Sequence, residues 1–326
     1  MTTRRAPAID PGTGPIASPA VVAPGRTRAG DIEAVRRRWD GQGWCVVEGV
    51  IPPEAIAEAR AALPASFPTA EEFADGADPA RNAAFFSERD APRLQFPYES
   101  PALNRVALHD GLLDLAAALL RTDDPRVYQA GLVAKYSDAG PEYEQLLHAD
   151  YANHTLVVPR ADAGFQHLET FVYLTDVTAT TGATRFVDRA HTVDVPVERT
   201  YLHLEEYAHV YAAEVPAEGP AGSVLVYRPD VFHRGVTMQE PRRARFVMNV
   251  ACKPAGTDWI GYHAFPARGE DRAWHRFMRD ATVRQLTALG FPAPGHAYWD
   301  ATTLAGVAAR YPGLDLTPWR AATRAG

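Results

Sequence analysis

Residues 223–254 give the clearest indication of the fold class, and they read SVLVYRPDVFHRGVTMQEPRRARFVMNVACKP. Two runs within them, 223–236 and 244–254, are rich in β-branched and aromatic residues, and a short polar stretch with Pro241 separates them. Runs of this composition between Gly and Pro residues are typical of β-strands. Because the connection is too short for a crossover helix, we expect the two strands to be antiparallel.

Upstream segments have the same β-rich character, and they predict four more strands, at 127–136, 154–159, 167–177 and 184–191. Helix-like segments flank this region, and the clearest is the amphipathic stretch at 111–122. Six antiparallel strands with helices on either side are typical of a double-sheet jelly roll. The predicted fold class is therefore mostly β with flanking helices, around a double-stranded β-helix (jelly roll, cupin-like) core.

The chain of 326 residues predicts one folded domain with a tail. Residues 1–28 have almost no large apolar side chains, so we expect this segment to be disordered. Residues 29–326 show no clean internal linker and are taken as a single domain. Its β-core spans about 127–254, and a helical and loop cap spans 257–326.

Composition and charge exclude several classes of function. The net charge of -7 gives no basic surface for nucleic acid, and no apolar run is long enough to cross a membrane. The two cysteines, Cys45 and Cys252, cannot form a disulfide framework and are interpreted as small buried hydrophobes. We therefore expect a cytoplasmic protein with a small-molecule partner, and the sequence leaves its oligomeric state open.

Three residues suggest a metal site. His148 and Asp150 are two positions apart, which would place both side chains on one face of an extended segment. His233 lies near the end of a predicted strand and can supply a third ligand. Two histidines and one carboxylate on one face of an octahedral metal are the ligand set of non-heme Fe(II) oxygenases. The H-x-D pattern alone is weak, since it also arises by chance.

Three arginines after His233 strengthen this interpretation. Arg242, Arg243 and Arg245 stand at the start of the last predicted strand. A guanidinium group binds a carboxylate in a planar bidentate fashion, which suits the far end of a dicarboxylate bound to iron. The alternative without a binding role is a solvated basic edge that prevents strand pairing, and we expect two of the three arginines to have that role.

The chain resembles the phytanoyl-CoA dioxygenase family of Fe(II)- and 2-oxoglutarate-dependent oxygenases, which includes ectoine hydroxylase. The segments that carry the resemblance occur in the family's order: WDGQGWCVVEGVIPPEAI (39–56), LLHADYANHTL (146–156), TFVYLTDVTATTGATRFVDRAHT (170–192), GPAGSVLVYRPDVFHRG (219–235) and PRRARFVMNV (241–250). By this resemblance His148, Asp150 and His233 would be the metal ligands. The cosubstrate arginine would be Arg242, with Arg245 or Arg243 as the alternative.

The resemblance also implies weaker cosubstrate contacts. Family members often have a Ser two positions after the distal His, where this chain has Gly235, so Thr237 is the substitute. Gln129 and Lys135 lie on the predicted strand where the family often has cosubstrate or substrate contacts. His154 follows Asp150 closely and could contact substrate, although a structural role is favoured.

The implied activity is that of an Fe(II)- and 2-oxoglutarate-dependent dioxygenase. Such an enzyme uses O2 to hydroxylate an unactivated C–H bond of a small molecule or acyl conjugate, and it releases succinate and CO2. Asp150 favours hydroxylation over halogenation, because halogenases of this class have a small residue in its place. Two alternatives remain: a non-oxidative metal-dependent isomerase or lyase on the same barrel, and a ligand-binding barrel without activity. An arginine clamp favours the oxygenase, since a non-oxidative enzyme does not need one.

Overall fold

The computed structural model describes residues 29–85, 93–137, 144–155, 167–196, 199–257, 260–261, 265 and 271–325. The predicted disordered segment 1–28 lies outside these residues, as do most of the predicted strand 154–159 and parts of the cap.

The described strands form two antiparallel sheets. In chain order they are β1 (Trp44–Val47), β2 (Arg93–Gln95), β3 (Pro125–Tyr136), β4 (Leu147–His148), β5 (Leu168–Tyr173), β6 (Arg185–Phe186), β7 (Tyr201–Leu202), β8 (Val215–Pro216), β9 (Val224–Tyr227), β10 (His233–Arg234) and β11 (Ala244–Pro254). The major sheet has the order β1-β9-β5-β11-β3-β2, and the minor sheet has the order β7-β4-β10-β6-β8. This confirms two antiparallel sheets, the coarser part of the predicted class.

Helices lie mostly before and after the strands. They are α1 (Ala29–Gly41), α2 (Pro53–Ala62), α3 (Ala70–Ala74), α4 (Pro79–Ala83), α5 (Pro101–Ala107), α6 (Asp110–Leu120), α7 (Tyr151–His154), α8 (Ala208–Tyr211), α9 (Arg272–Asp280), α10 (Val283–Ala288), α11 (Ala301–Arg310) and α12 (Thr317–Ala325). Together they contain more residues than the described strands, so "mostly β" describes 125–254 and not the whole chain. None of the described helices has the length and apolar character of a bilayer-spanning segment.

Residues 223–254 are divided between the two sheets. Residues 244–254 form one continuous strand, as predicted, whereas 223–236 contain two strands, β9 in the major sheet and β10 in the minor sheet. Pro229 stands between them and has no N–H to extend the β9 ladder. The Val231 N–H donates to the Arg228 carbonyl at 3.1 Å and closes a turn. The chain thereby moves from one sheet to the other just before His233.

The two faces of the major sheet differ in polarity, because successive side chains of a strand point to opposite faces. One face packs against the helices, including α6, through fully buried residues such as Leu132, Val172 and Met248. Burying a side chain of this size stabilises the fold by about 1.5–3 kcal/mol. The opposite face has buried polar residues on the same strands, and these line a cavity.

Candidate metal centre and its cavity

His148, Asp150 and His233 converge at the minor sheet. His148 in β4 and His233 in β10 are directly paired across the antiparallel ladder. Asp150 lies 3.6 Å from His148 (Oδ1 to Nε2) and 3.3 Å from His233 (Oδ2 to Nε2). Asp150 is not on an extended strand, as we expected, but has a helical backbone at the start of α7. The three side chains meet nonetheless, and their ligand-type atoms lie within 4.8 Å of one another.

Backbone carbonyls orient both imidazole rings. His148 Nδ1 lies 2.9 Å from the Leu146 carbonyl oxygen, and His233 Nδ1 lies 3.0 Å from the Val231 carbonyl oxygen. Because a carbonyl only accepts, Nδ1 is the protonated nitrogen in each neutral ring. This leaves the Nε2 lone pair of each ring on the side that faces Asp150. Metal-binding histidines commonly donate the N–H of the other ring nitrogen in this way.

Asp150 and the two imidazoles shift one another's pKa values. Burial raises the pKa of Asp150, but His233 and His148 outweigh burial and hold it well below its usual range. Burial lowers the pKa of His233, yet the Asp150 carboxylate gives it a net increase, whereas burial and His233 together lower the pKa of His148. The Tyr227 hydroxyl also donates to Asp150 Oδ2 at 2.9 Å. Asp150 is therefore an ionised carboxylate with a fixed orientation.

These residues face a cavity of about 440 Å³ between the two sheets. That volume is in the range of small-molecule sites. The minor sheet contributes His148 and His233 to its lining, and the major sheet contributes polar residues from β3, β5, β9 and β11.

One end of the cavity is basic. Arg245 in β11 is paired with Lys135 in β3, so both side chains lie on the same face of the major sheet, and both line the cavity. The Lys135 ammonium group donates to the Val236 carbonyl at 2.7 Å, and Arg245 donates through Nη1 to the Gly182 carbonyl. A lysine and an arginine side by side in a concave site favour a carboxylate ligand.

The structure places Arg242, the first choice for the cosubstrate contact, outside the cavity. Arg242 lies in the turn before β11 with φ 55°, is 53% exposed, and pairs with Asp75 at 2.8 Å. Arg243 is also at the surface, where it pairs with Glu240. Neither lines the cavity, because only Arg245 belongs to the strand and falls on its cavity face.

Of the other predicted cosubstrate contacts, Gln129 and Lys135 line the cavity, whereas Thr237 does not. The backbone N–H of Thr237 donates instead to Glu144 Oε1 at 3.1 Å. Gly235, which replaces the family's serine, does line the cavity.

A buried polar cluster beside the metal ligands was missed from the sequence. Glu169 in β5 is 1% exposed, and its Oε1 accepts from the Tyr128 hydroxyl at 2.6 Å and lies 3.1 Å from His154 Nδ1. Its Oε2 accepts from the Asn249 amide at 3.0 Å. Burial raises the pKa of Glu169, but His154 outweighs it and gives a net decrease. The sequence feature that could have indicated this cluster is a glutamate within a predicted strand that is otherwise mostly apolar.

Comparison with known families identifies one match. The model of the phytanoyl-CoA dioxygenase (PhyH) family matches residues 39–244. No curated protein matches the chain.

Solved structures with a similar fold include three at or above a TM-score of 0.50. The epimerase SnoN in complex with Fe3+, alpha ketoglutarate and nogalamycin RO has 16% identity and a TM-score of 0.50, over 70% of this chain and 85% of that one. EvdMO1 has 17% identity and a TM-score of 0.51, and the match covers 69% of this chain and 50% of that chain. EctD from S. alaskensis in its apo form has 18% identity and a TM-score of 0.50, and the match covers 71% of this chain and 80% of that chain. At these identities the similarity concerns the fold.

Proposed function

The chain belongs to the phytanoyl-CoA dioxygenase family, and on that premise we propose that it is an Fe(II)- and 2-oxoglutarate-dependent dioxygenase. Its reaction would hydroxylate a C–H bond of a small molecule or acyl conjugate and release succinate and CO2. The observation that carries the proposal is one cavity that holds both a His-Asp-His cluster and the Lys135–Arg245 pair. The two sheets would then be those of a double-stranded β-helix.

The donor set fits ferrous iron. His148 and His233 offer imidazole nitrogens whose opposite ring nitrogens already have carbonyl partners, and Asp150 offers an ionised carboxylate. This is the 2-His-1-carboxylate set, which leaves coordination positions open for cosubstrate and dioxygen. When bound, the iron would couple the oxidative decarboxylation of 2-oxoglutarate to activation of O2.

Residues of the chain itself would bind and orient the reactants. Arg245 and Lys135 would hold the distal carboxylate of 2-oxoglutarate through charge-assisted hydrogen bonds. The Tyr227 hydroxyl would hold Asp150 in its orientation through its bond to Oδ2. The cavity between the sheets would separate the reacting groups from bulk water.

The non-oxidative isomerase or lyase remains the alternative. It would need the metal ligands but no binding site for a dicarboxylate. The Lys135–Arg245 pair therefore supports the oxygenase over this alternative. Cytoplasmic location, a single domain over 29–326 and the absence of nucleic-acid binding stay predictions.

Succinate formation from 2-oxoglutarate tests the proposal without knowledge of the substrate, because these enzymes turn over the cosubstrate slowly on their own. The purified chain with Fe(II), 2-oxoglutarate and O2 should form succinate, and His148→Ala and Asp150→Ala should not. His203→Ala is a matched control, because His203 is exposed and does not line the cavity. Succinate at the wild-type rate in the His148 and Asp150 variants would reject the assignment.

A further inference from the structure

The polar groups of the cavity lie in two separate zones along the major sheet. Lys135 and Arg245 form the basic zone. Gln129 and Glu169 are both register partners of Ala251, and Asn249 lies two positions before Ala251 on the same face of β11. We call Gln129, Glu169 and Asn249 the acceptor patch. Asn249 is four residues from Arg245, so about 13 Å of strand separates the two zones.

The acceptor patch lies beside the metal ligands. Glu169 is the register partner of Tyr227, whose hydroxyl donates to Asp150. His154, at the other end of the short α7 helix from Asp150, lies 3.1 Å from Glu169. A ligand group on the patch is therefore next to the reacting centre and at a different position along the sheet from the basic zone.

Hydrogen bonds within the patch leave acceptors without donors. Asn249 Nδ2 donates to Glu169 Oε2 at 3.0 Å and to the Thr170 carbonyl at 3.2 Å, which fixes the orientation of the amide. Asn249 Oδ1 consequently points away from these bonds, and among the described residues nothing donates to it. Among the described residues nothing donates to Gln129 Oε1 either, and both side chains are only 7% exposed. Buried acceptors of this kind favour a ligand that brings O–H or N–H groups.

Charge decides which kind of donor fits. Glu169 has three donor-type partners, the Tyr128 hydroxyl, the Asn249 amide and the His154 ring. These three partners already surround its carboxylate, with His154 Nδ1 at 3.1 Å, so the patch does not require a cationic group from the ligand. The groups that lack donors, Gln129 Oε1 and Asn249 Oδ1, are neutral amide oxygens. Neutral hydroxyl groups match them better than an ammonium group.

We propose that the acceptor patch binds a neutral, polyhydroxylated, sugar-like group of the substrate and holds it beside the metal ligands. This inference rests on the proposed function and names the substrate class of the same cavity. Gln129 and Asn249 would determine specificity by accepting hydrogen bonds from substrate hydroxyls.

Three six-membered-ring probes test the inference by saturation-transfer NMR on the full chain. They are methyl β-glucoside with neutral hydroxyls, cyclohexylammonium with a charge, and cyclohexylmethanol with a mostly apolar surface. The glucoside should give the strongest saturation transfer. Stronger transfer to cyclohexylammonium or cyclohexylmethanol, or no transfer to any probe at millimolar concentration, would overturn the inference.

Variants locate the bound probe. Gln129→Met removes one acceptor at nearly constant volume and should weaken glucoside binding about fivefold, the effect of one lost hydrogen bond. Asn249→Leu should weaken it at least as much, and thermal unfolding would show whether that variant is folded. Gln239→Met is the matched control, since Gln239 is exposed and does not line the cavity. Unchanged glucoside binding in Gln129→Met and in folded Asn249→Leu would overturn the inference.

Failure of this inference can be told apart from failure of the proposed function. The NMR experiment needs neither iron nor 2-oxoglutarate, whereas succinate formation needs both and no sugar. Succinate formation without glucoside binding would reject only the substrate class.

Discussion

His148 and His233 are direct partners in the pairing of β4 with β10, and the centroids of their rings are 4.5 Å apart. Each ring is oriented by the carbonyl of the residue two positions earlier in the chain, Leu146 or Val231, which precedes the strand. Two short strand segments thus present two nitrogen donors to the same point. Asp150 completes the cluster from the start of α7.

Tyr227→Phe should weaken metal binding about tenfold, because outer hydrogen bonds to ligands commonly contribute this much to affinity. The substitution removes the donor to Asp150 Oδ2 and keeps the aromatic ring. Titration with Fe(II) under anaerobic conditions, or with Co(II), measures the change. Tyr298→Phe is the control, because Tyr298 is exposed. Equal affinities in the two variants would show that Tyr227 does not orient the ligand.

Arg245→Gln should weaken 2-oxoglutarate binding at least about tenfold while metal affinity is retained, since a charged hydrogen bond to a carboxylate is lost. Arg242→Gln is a matched control, since Arg242 is a surface residue paired with Asp75. Calorimetric titration of the metal-loaded protein measures both variants. A large loss with Arg242→Gln and none with Arg245→Gln would reject the proposed role of Arg245.

The stability of the protein should fall as the pH drops from about 6.5 to 4, in part through His167. Burial lowers the pKa of this fully buried imidazole to about 4. Between the two pKa values the unfolded chain binds the proton and the folded chain does not, so the unfolding free energy decreases with falling pH. The decrease from this group is about 3 kcal/mol at pH 4.

His167→Phe tests this effect, because phenylalanine keeps an aromatic ring and does not titrate. Urea unfolding at pH 7 and pH 4.5 should show a smaller pH dependence in the variant than in the wild type. If the two proteins lose equal stability over this interval, His167 does not contribute.

Cys45 and Cys252 should not react with thiol reagents in the native protein. Both are buried, and burial raises the pKa of each thiol to about 12. At pH 8 an aromatic disulfide reagent should therefore label neither cysteine until denaturant is added, and then label both. Rapid labelling of the native chain would contradict the described packing.

Much of the fold could be predicted from local sequence pattern. The β-rich composition of 244–254 predicted β11 with its observed bounds, and the apolar spacing of 111–122 predicted α6 nearly as well. The division of 223–236 into β9 and β10 was missed, because a turn at Pro229 that changes sheets depends on tertiary pairing. The extent of the helices was also underestimated.

The site could be predicted only in part, since sequence spacing does not fix register. His148, Asp150 and His233 were chosen from their spacing and family resemblance, and the structure brings them together. Arg242 was the first choice by resemblance, with Arg245 or Arg243 as the alternative, whereas the pairing of Arg245 with Lys135 determines which arginine faces the cavity. Glu169 was missed because its partners Tyr128, His154 and Asn249 come from separate elements.

An anaerobic titration of the metal-free protein with Fe(II) and then 2-oxoglutarate, monitored by visible absorption, tests the metal and cosubstrate assignments together. We predict a saturable metal-to-ligand charge-transfer band that succinate does not produce and that His148→Ala abolishes. Metal binding without this band would contradict the assignment of 2-oxoglutarate as cosubstrate and favour the non-oxidative alternative. Absence of metal binding would contradict the assignment of His148, Asp150 and His233 as ligands.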